Sequence, residues 1–255
     1  MNKAQQKAHE ILKSVGWGAP GDLTLEEIAW AGGAFIKVSP IGGSEGRILM
    51  NDDSAIITLD SGINYEPKKR FVLAHELGHF YLHRKLGSFF SDTDRTLSQW
   101  QTKSIHETEA NDFASELLMP SHLFIDQVKG RKLDLPLIRQ TAEYFGTSMT
   151  ATFLKYRYIG DYPIMIIFSE KNLIKWKQSS LDFPFQWLPI NSEVPVYTVA
   201  GDFFNGNGIE EEPVKVDAIE WFPEDREIES KKHWKLWEQC FQVSPNGLIT
   251  CLWTF

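Results

Sequence analysis

Residues 70–83 of the chain read RFVLAHELGHFYLH, and they contain an H-E-x-x-H pattern inside a predicted helix. Residues four apart on a helix lie one above the other, so the imidazoles of His75 and His79 face one point and can share a zinc ion. The carboxylate of Glu76 projects beside them, where it can accept a proton from a water molecule that the metal activates. The pattern therefore predicts two zinc ligands, His75 and His79, and a catalytic acid/base, Glu76.

A catalytic zinc ion needs a third protein ligand and an open coordination position. Two glutamates on a second predicted helix, Glu107 and Glu109, are the candidates. Glu107 shares a helical face with small and apolar residues that suit close packing against another helix. Glu109 aligns with Asp112 and Glu116 in an acidic strip, which is typical of a solvent-facing surface. Helical geometry therefore favours Glu107 as the third ligand.

Two further side chains are candidates for supporting the ligands. Asn111 lies one helical turn after Glu107, where its amide could hydrogen-bond a ligand, although a plain surface position fits it nearly as well. His83 continues the face of the two ligand histidines but lies about 12 Å along the axis from the first of them. It cannot join the same tetrahedral site, so we expect it to support the ligands or to pack. His106 points to another part of its helix and is not a candidate.

The composition is typical of a globular protein in a reducing compartment. The chain has 255 residues, a net charge of −8 and two cysteines. So few cysteines argue against a disulfide-built secreted domain, and the polar first residues do not resemble a signal peptide. No run approaches the roughly 18 apolar residues that a membrane span needs. We therefore expect a cytoplasmic protein without membrane association, and the negative charge argues against nucleic acid as its main partner.

Apolar periodicity and turn residues divide the chain into an α+β order of elements. In the N-terminal part they predict a helix up to residue 15, a helix capped by Thr24 and Glu27, strands over 34–39, 47–50 and 54–59, a helix from Pro67 to about residue 85, a loop over 86–104, a helix over 105–118, and two or three helices over 121–159. In the C-terminal part they predict strands over 164–169, 173–177, 195–200 and 214–219, a helix around 230–237 and a hairpin at 245–247.

Charge and aromatic content place a domain boundary near residue 160. From residue 161 onward the chain has 15 acidic and 8 basic residues, and six of the nine tryptophans lie after residue 170. We therefore predict a domain over residues 1–160 and a smaller, acidic, strand-rich α+β domain over residues 161–255. The second domain could sense a ligand, dock a partner or only stabilise the first. Its Cys240 and Cys251 flank the last turn, where a glycine bulge is favoured over a two-residue loop and places them on opposite faces of the sheet.

A helix-turn-helix pattern lies within residues 121–160, with a turn at residues 145–148. The segment has six basic and three acidic residues. This excess could serve a module that reads DNA or mimics a repressor, but it is small for phosphate binding, and the acidic neighbour would repel a duplex. We therefore favour a helical support for the first domain.

The two ligand regions together resemble the ImmA/IrrE family of metallopeptidases. The matching pattern is Arg-Phe at 70–71, Ala-His-Glu-Leu-Gly-His at 74–79 and Leu-His at 82–83, followed over residues 107–120 by E-x-x-A-N-x-F-A-x-x-L-L-M-P. The earlier helices and strands fit as well, so the resemblance covers roughly residues 1–160. It implies a zincin-like peptidase fold, with zinc held by His75, His79 and Glu107 and with Glu76 as the catalytic acid/base.

The resemblance also implies a substrate class, because family members are known or suspected to cleave helix-turn-helix repressors of phages, mobile elements or stress responses. The expected function is zinc-dependent hydrolysis of a peptide bond in a specific intracellular protein, with such a repressor as partner. The alternative is a zinc-containing docking or DNA-binding regulatory module without turnover. For the substrate, the strand at 54–59 is the expected pairing edge. The candidates for stabilising the oxyanion are Tyr81, Tyr144, Tyr156 and Tyr158.

Overall fold

The structure is a computed structural model that describes residues 1–84, 89–91 and 105–254. Apart from a short strand at residues 89–91, the predicted loop over 86–104 lies outside the described residues. The chain forms two compact units: Met1–Asp126 with Ala142–Ser148, and Gln127–Thr141 with Met149–Phe255. This division differs from the predicted boundary at residue 160, because most of the helix-turn-helix segment groups with the C-terminal strands.

The elements follow the predicted order closely as far as residue 159. They are α1 (Lys3–Ser14), α2 (Leu25–Ala31), β1 (Ala34–Ser39), β2 (Gly46–Met50), β3 (Ala55–Asp60), α3 (Glu66–His83), β4 (Phe89–Ser91), α4 (Ile105–Leu118), α5 (Ser121–Val128), α6 (Leu135–Phe145) and α7 (Met149–Ile159). Among the described residues, no helix has both the length and the apolar character needed to cross a membrane.

In the first unit, a mixed four-stranded sheet packs on the central helix α3. The strand order is β1-β3-β2-β4, with β1 and β3 parallel and the other pairs antiparallel. The strand predicted at 54–59 is therefore a central strand, and its predicted role as a free pairing edge is wrong. The predicted cap of α2 is confirmed, since Thr24 accepts a hydrogen bond from the Glu27 amide while Glu27 reaches back to the Thr24 amide.

Helix α3 is buried on every side over residues 72–80. It begins with Pro67 in its first turn, as predicted. It packs against α4, β2 and β3, and also against α1 and α2. A Cβ added at Gly78 would stand 2.9 Å from the Ala110 Cα, so the missing side chain lets α4 approach closely. A helix buried all round is normally apolar, so its buried polar residues require a specific explanation.

In the second unit, the C-terminal residues form a five-stranded antiparallel sheet with short helices. The elements are β5 (Ile164–Glu170), β6 (Leu173–Ser179), α8 (Val199–Phe204), β7 (Val214–Asp217), α9 (Ala218–Trp221), α10 (Ile228–Lys231), β8 (Lys235–Ser244) and β9 (Gly247–Trp253), and the strand order is β6-β5-β9-β8-β7. The fully buried Glu238 on β8 accepts hydrogen bonds from the Ala200 amide and the Trp221 indole, which ties α8 and α9 to the sheet. Burial raises the pKa of Glu238.

Three element predictions in this unit are wrong in whole or in part. The strand predicted over 214–219 ends at Asp217, and helix α9 begins at Ala218. Residues 195–200 do not form a strand, because Thr198 caps the helix α8 by accepting a hydrogen bond from the Gly201 amide. The helix predicted around 230–237 ends at Lys231, and strand β8 begins at Lys235.

The last hairpin leaves the two cysteines free and buried. The predicted glycine-bulge turn is wrong, because Ser244 pairs with Gly247 as in a two-residue loop. A register shift between Gln242 and Ser244 moves the rest of the pairing. Cys240 therefore lies opposite Thr250 and Cys251 opposite Gln239, so the cysteines face opposite sides of the sheet.

Replacing Asp225 with alanine should destabilise the second unit. The buried carboxylate accepts hydrogen bonds from the amides of Gln186, Trp187 and Glu227 at 2.6–2.9 Å. Burial alone would raise the pKa of Asp225, but these bonds outweigh it and hold the pKa below its usual value of 3.8. We expect Asp225→Ala to lower the free energy of unfolding by about 1–3 kcal/mol at pH 7 in urea titrations, and Asp225→Asn to lower it less.

The sign of the pH dependence follows from the lowered pKa of Asp225. A depressed folded-state pKa contributes stability above the unfolded value of about 3.9, and this contribution is lost as the pH falls through the folded value. The difference between wild type and Asp225→Ala should therefore be constant near neutral pH and shrink below about pH 4. A difference that grows on acidification would contradict the assignment.

Candidate metal centre

Three side chains from α3 and α4 converge on one point. His75 Nε2 lies 3.2 Å from Glu107 Oε2, His79 Nε2 lies 3.3 Å from Glu107 Oε1, and the two Nε2 atoms lie 3.1 Å apart. These are the residues from which the sequence predicts a zinc site. The structure brings all three together, and it meets the geometric requirement for a shared metal ion.

The spacing of these atoms fits a tetrahedral ion. Zinc binds imidazole nitrogen and carboxylate oxygen at about 2.0–2.1 Å, and a regular tetrahedron of that radius has edges of about 3.3 Å. The three observed separations, 3.1–3.3 Å, are close to that edge length. Two neutral imidazoles and one carboxylate are also a donor set that zinc accepts in catalytic sites. The residues present therefore fit the metal.

Burial and charge favour the protonation states that a metal site needs. Burial lowers the pKa of His79, which keeps the imidazole neutral and its nitrogen lone pair available. Burial alone would raise the pKa of Glu107, but hydrogen bonds from His75 and His79 outweigh it and hold that pKa well below its usual value. Glu107 is therefore an anion at neutral pH.

Each ligand histidine has a partner on its second ring nitrogen. His75 Nδ1 lies 3.0 Å from Asn111 Oδ1, so the amide predicted as a possible support does contact a ligand. His79 Nδ1 lies 3.1 Å from His83 Nδ1, so His83 contacts the other. Such partners fix the ring orientation of metal-binding histidines.

Sequence reasoning missed two residues around His83. Glu109 Oε2 lies 2.8 Å from His83 Nε2, and the His106 ring centroid lies 4.7 Å from the His83 ring centroid.

The prediction of a solvent-facing acidic strip is wrong in part, because Glu116 is buried and accepts hydrogen bonds from the Ser121 amide and hydroxyl at the start of α5. The sequence signal for this role was the position of Glu116 five residues before Ser121. From there its carboxylate can cap the start of α5.

Glu76 follows His75 on α3, and its side chain is only 1% exposed. It packs against the start of β2, where a Cβ at Gly46 would stand 2.6 Å from Glu76 Oε1 and 2.6 Å from Val72 Cγ1. Only a glycine therefore leaves room for the carboxylate in this position. The strand and the helix together fix where the carboxylate lies.

We expect Gly46→Ala to keep the metal and to slow catalysis. The added methyl group must displace the Glu76 carboxylate or Val72, and misplacement of a catalytic group by about 1 Å can cost roughly a hundredfold in rate. The measurement is metal content together with single-turnover cleavage. Gly42→Ala is a matched control, because a Cβ at Gly42 has no neighbouring atom within 4 Å. Equal rates for both variants would contradict the positioning role of Gly46.

The four candidate tyrosines differ in their surroundings. The Tyr81 hydroxyl packs against Gly32 at the end of α2 and the ring packs against Phe113, and burial raises the pKa of Tyr81. Tyr144 is exposed, with its ring edge-on to Phe145. Tyr156 is buried and Tyr158 is exposed, and both belong to the second unit. The oxyanion role stays a prediction for all four.

Comparison with known proteins finds a family match that includes both ligand helices. Residues 33–155, which include both ligand helices, match the family described as the IrrE N-terminal-like domain. This segment of the chain belongs to that family. The IrrE-like domain is also similar to Metallopeptidase ImmA of Bacillus subtilis (strain 168), with 28% identity over 137 residues that cover 50% of this chain and 72% of the relative. These matches support a metallopeptidase at the level of the family.

A solved structure extends the likeness beyond the IrrE-like domain. A Mycobacterium tuberculosis transcriptional regulator has a TM-score of 0.62 to this chain, with 14% identity, over 98% of this chain and 75% of the regulator. At this identity the likeness concerns the fold alone. It agrees with the predicted α+β class, which the observed helices and strands confirm.

Proposed function

We propose that the chain is a zinc-dependent endopeptidase that cleaves one specific protein partner. The observation that carries the proposal is the burial of the Glu76 carboxylate next to the ligand His75. Burying a carboxylate is costly, and such groups are retained mainly where they have a specific role. A protein that only held a metal ion would need the three ligands but not this additional buried carboxylate.

The proposed mechanism assigns a role to each side chain of the centre. His75, His79 and Glu107 hold the metal, which when bound supplies a Lewis acid for hydrolysis. Glu76 accepts a proton from the attacking water at its carboxylate and delivers it to the leaving amine. Gly46, at the start of β2, packs against that carboxylate and keeps it in place. Helix α4 positions Glu107 through the close contact of Ala110 with Gly78.

A peptide substrate can bind by adding a strand to the first sheet. Among the described strands, β1 and β4 are the outer ones. Strand β4 pairs with β2 from Arg47 onward, directly after Gly46, whose backbone contacts Glu76. We therefore propose that the substrate pairs at the β4 side of the sheet.

The expected partner is a helix-turn-helix transcriptional repressor, as the family resemblance implies. A DNA-binding role receives little support from residues 121–160. Two of the six basic residues in that segment, Lys155 and Arg157, are buried and do not add to a surface for phosphate.

The test is cleavage of a purified helix-turn-helix repressor encoded beside the gene of this protein. We expect intact-mass spectrometry to find two fragments from a single site after incubation with Zn²⁺. Addition of 1,10-phenanthroline should stop the reaction, and excess Zn²⁺ should restore it. A repressor that binds stoichiometrically but stays intact would instead support the docking alternative.

A further inference from the structure

A chain of polar contacts leads from the ligand His79 to the end of its own helix and then to α4. His79 Nδ1 lies 3.1 Å from His83 Nδ1, and His83 Nε2 lies 2.8 Å from Glu109 Oε2. His79 and His83 are buried, and the Glu109 side chain is 37% exposed. These polar contacts therefore lead from the candidate metal centre to a carboxylate that reaches the surface.

The contacts allow one consistent arrangement of protons when His79 binds a metal. Nε2 of His79 faces the other ligands, so it must be the nitrogen without a proton, and Nδ1 must carry the proton. That proton is donated to His83 Nδ1, which then has no proton of its own. His83 must therefore carry its proton on Nε2, and it donates this proton to Glu109.

Glu109 determines the direction in which these protons are donated, from His79 to His83 and from His83 to Glu109. A carboxylate only accepts hydrogen bonds, so it selects the His83 tautomer with the proton on Nε2. That tautomer leaves Nδ1 of His83 as an acceptor, which in turn selects the His79 tautomer that binds metal. His106 packs its ring on His83 one helical turn before Glu109, so α4 holds the His83 ring from two sides.

We propose that Glu109 is a positioning residue that acts through His83 to hold His79 in its metal-binding tautomer. The proposal rests on the metal centre of the proposed function. It assigns Glu109 a role distinct from that of Glu107, although both residues are on the same turn of α4. Partners of this kind typically contribute 10–100-fold to metal affinity.

The experiment measures the Zn²⁺ dissociation constant of the full chain by competition with a chromophoric chelator. We expect Glu109→Ala to weaken binding about 10–100-fold. Glu109→Gln should lie closer to wild type, because its amide oxygen can accept the same proton from His83. Asp112→Asn is the matched control for loss of one charge on α4, because the Asp112 carboxylate accepts a hydrogen bond from the Asn2 amide group. It should leave the affinity unchanged.

A second readout follows the tautomers directly. In metal-free protein with ¹⁵N-labelled histidine, where no metal fixes the proton of His79, the ring nitrogens of wild type should report the proton of His83 on Nε2. In Glu109→Ala this preference should be lost, whereas in Glu109→Gln it should be retained. If Glu109 had a purely structural role, wild type, Glu109→Ala and Glu109→Gln would all show the same His83 tautomer.

The other outcomes are separable. If wild type binds Zn²⁺ and Glu109→Ala binds it equally well, the positioning role is overturned and the proposed function stands. Complete loss of binding in Glu109→Ala with retention in Glu107→Ala would make Glu109 the ligand and also overturn the positioning role. If wild type itself binds no Zn²⁺, both proposals fail together.

Discussion

The variant Glu76→Gln should retain one Zn²⁺ per chain and lose peptide cleavage. Glutamine has the same shape as glutamate and fits the space beside Gly46, so the ligands His75, His79 and Glu107 should be undisturbed. It cannot accept a proton from the attacking water, however. General acid–base catalysis by one positioned side chain contributes roughly 10²–10⁴-fold, and we expect kcat/KM to fall by about that factor.

The measurement pairs elemental analysis of the metal with single-turnover cleavage of the repressor substrate. Glu66→Gln is the matched control, because Glu66 is an exposed acid in the first turn of the same helix. It should leave both quantities unchanged. Wild-type cleavage rates in Glu76→Gln would refute the enzymatic proposal, and loss of zinc in this variant would show that Glu76 acts as a ligand.

The convergence of the three candidate ligands could be predicted from the sequence because it depends on local geometry. His75 and His79 are one helical turn apart on α3, so their common direction follows from the helix itself. Glu107 could be preferred to Glu109 because its own face of α4 carries small residues. The structure places that face on α3, with Ala110 against Gly78. Helical periodicity and residue size were sufficient for these steps.

The partners of His83 could not be predicted, because they depend on how two helices align over their whole length. Glu109 and His106 reach His83 only because α4 runs beside the last turn of α3. The strand order β1-β3-β2-β4 likewise depends on contacts between residues that are far apart in the sequence. Nothing within residues 55–60 specifies that this strand is central and pairs on both sides. Long-range pairing has no local signature of its own.

Local signals also competed within the C-terminal part. Residues 195–200 have high β-propensity, but Thr198 caps a helix, and Asp202 adds an acid to its first turn. Capping and the favourable placement of an acid at a helix start outweighed the β-branched composition. The threonine followed by an acid four residues later was the signal that could have identified this helix.

The second large effect concerns Glu107. We expect Glu107→Ala to lose Zn²⁺ affinity by at least about a hundredfold. If a binding free energy of roughly 12 kcal/mol is shared among four ligands, each contributes about 3 kcal/mol, and 1.4 kcal/mol corresponds to a factor of ten. The variant also removes the only negative charge among the three converging ligands. Glu107→Gln should fall between wild type and alanine, because it keeps an oxygen ligand without the charge.

Calorimetric titration with Zn²⁺ measures this loss, and thermal unfolding provides an independent check. A ligand that binds the folded state raises the unfolding temperature by an amount that grows with the logarithm of its concentration over its Kd, so added Zn²⁺ should stabilise wild type much more than Glu107→Ala. Urea unfolding without metal separates loss of a ligand from loss of the fold. Because the Glu107 side chain is 22% exposed and lies at the start of α4, alanine should leave the metal-free fold intact. Wild-type zinc affinity in Glu107→Ala would remove Glu107 from the ligand set, and the placement of α4 against α3 would then need a different functional explanation.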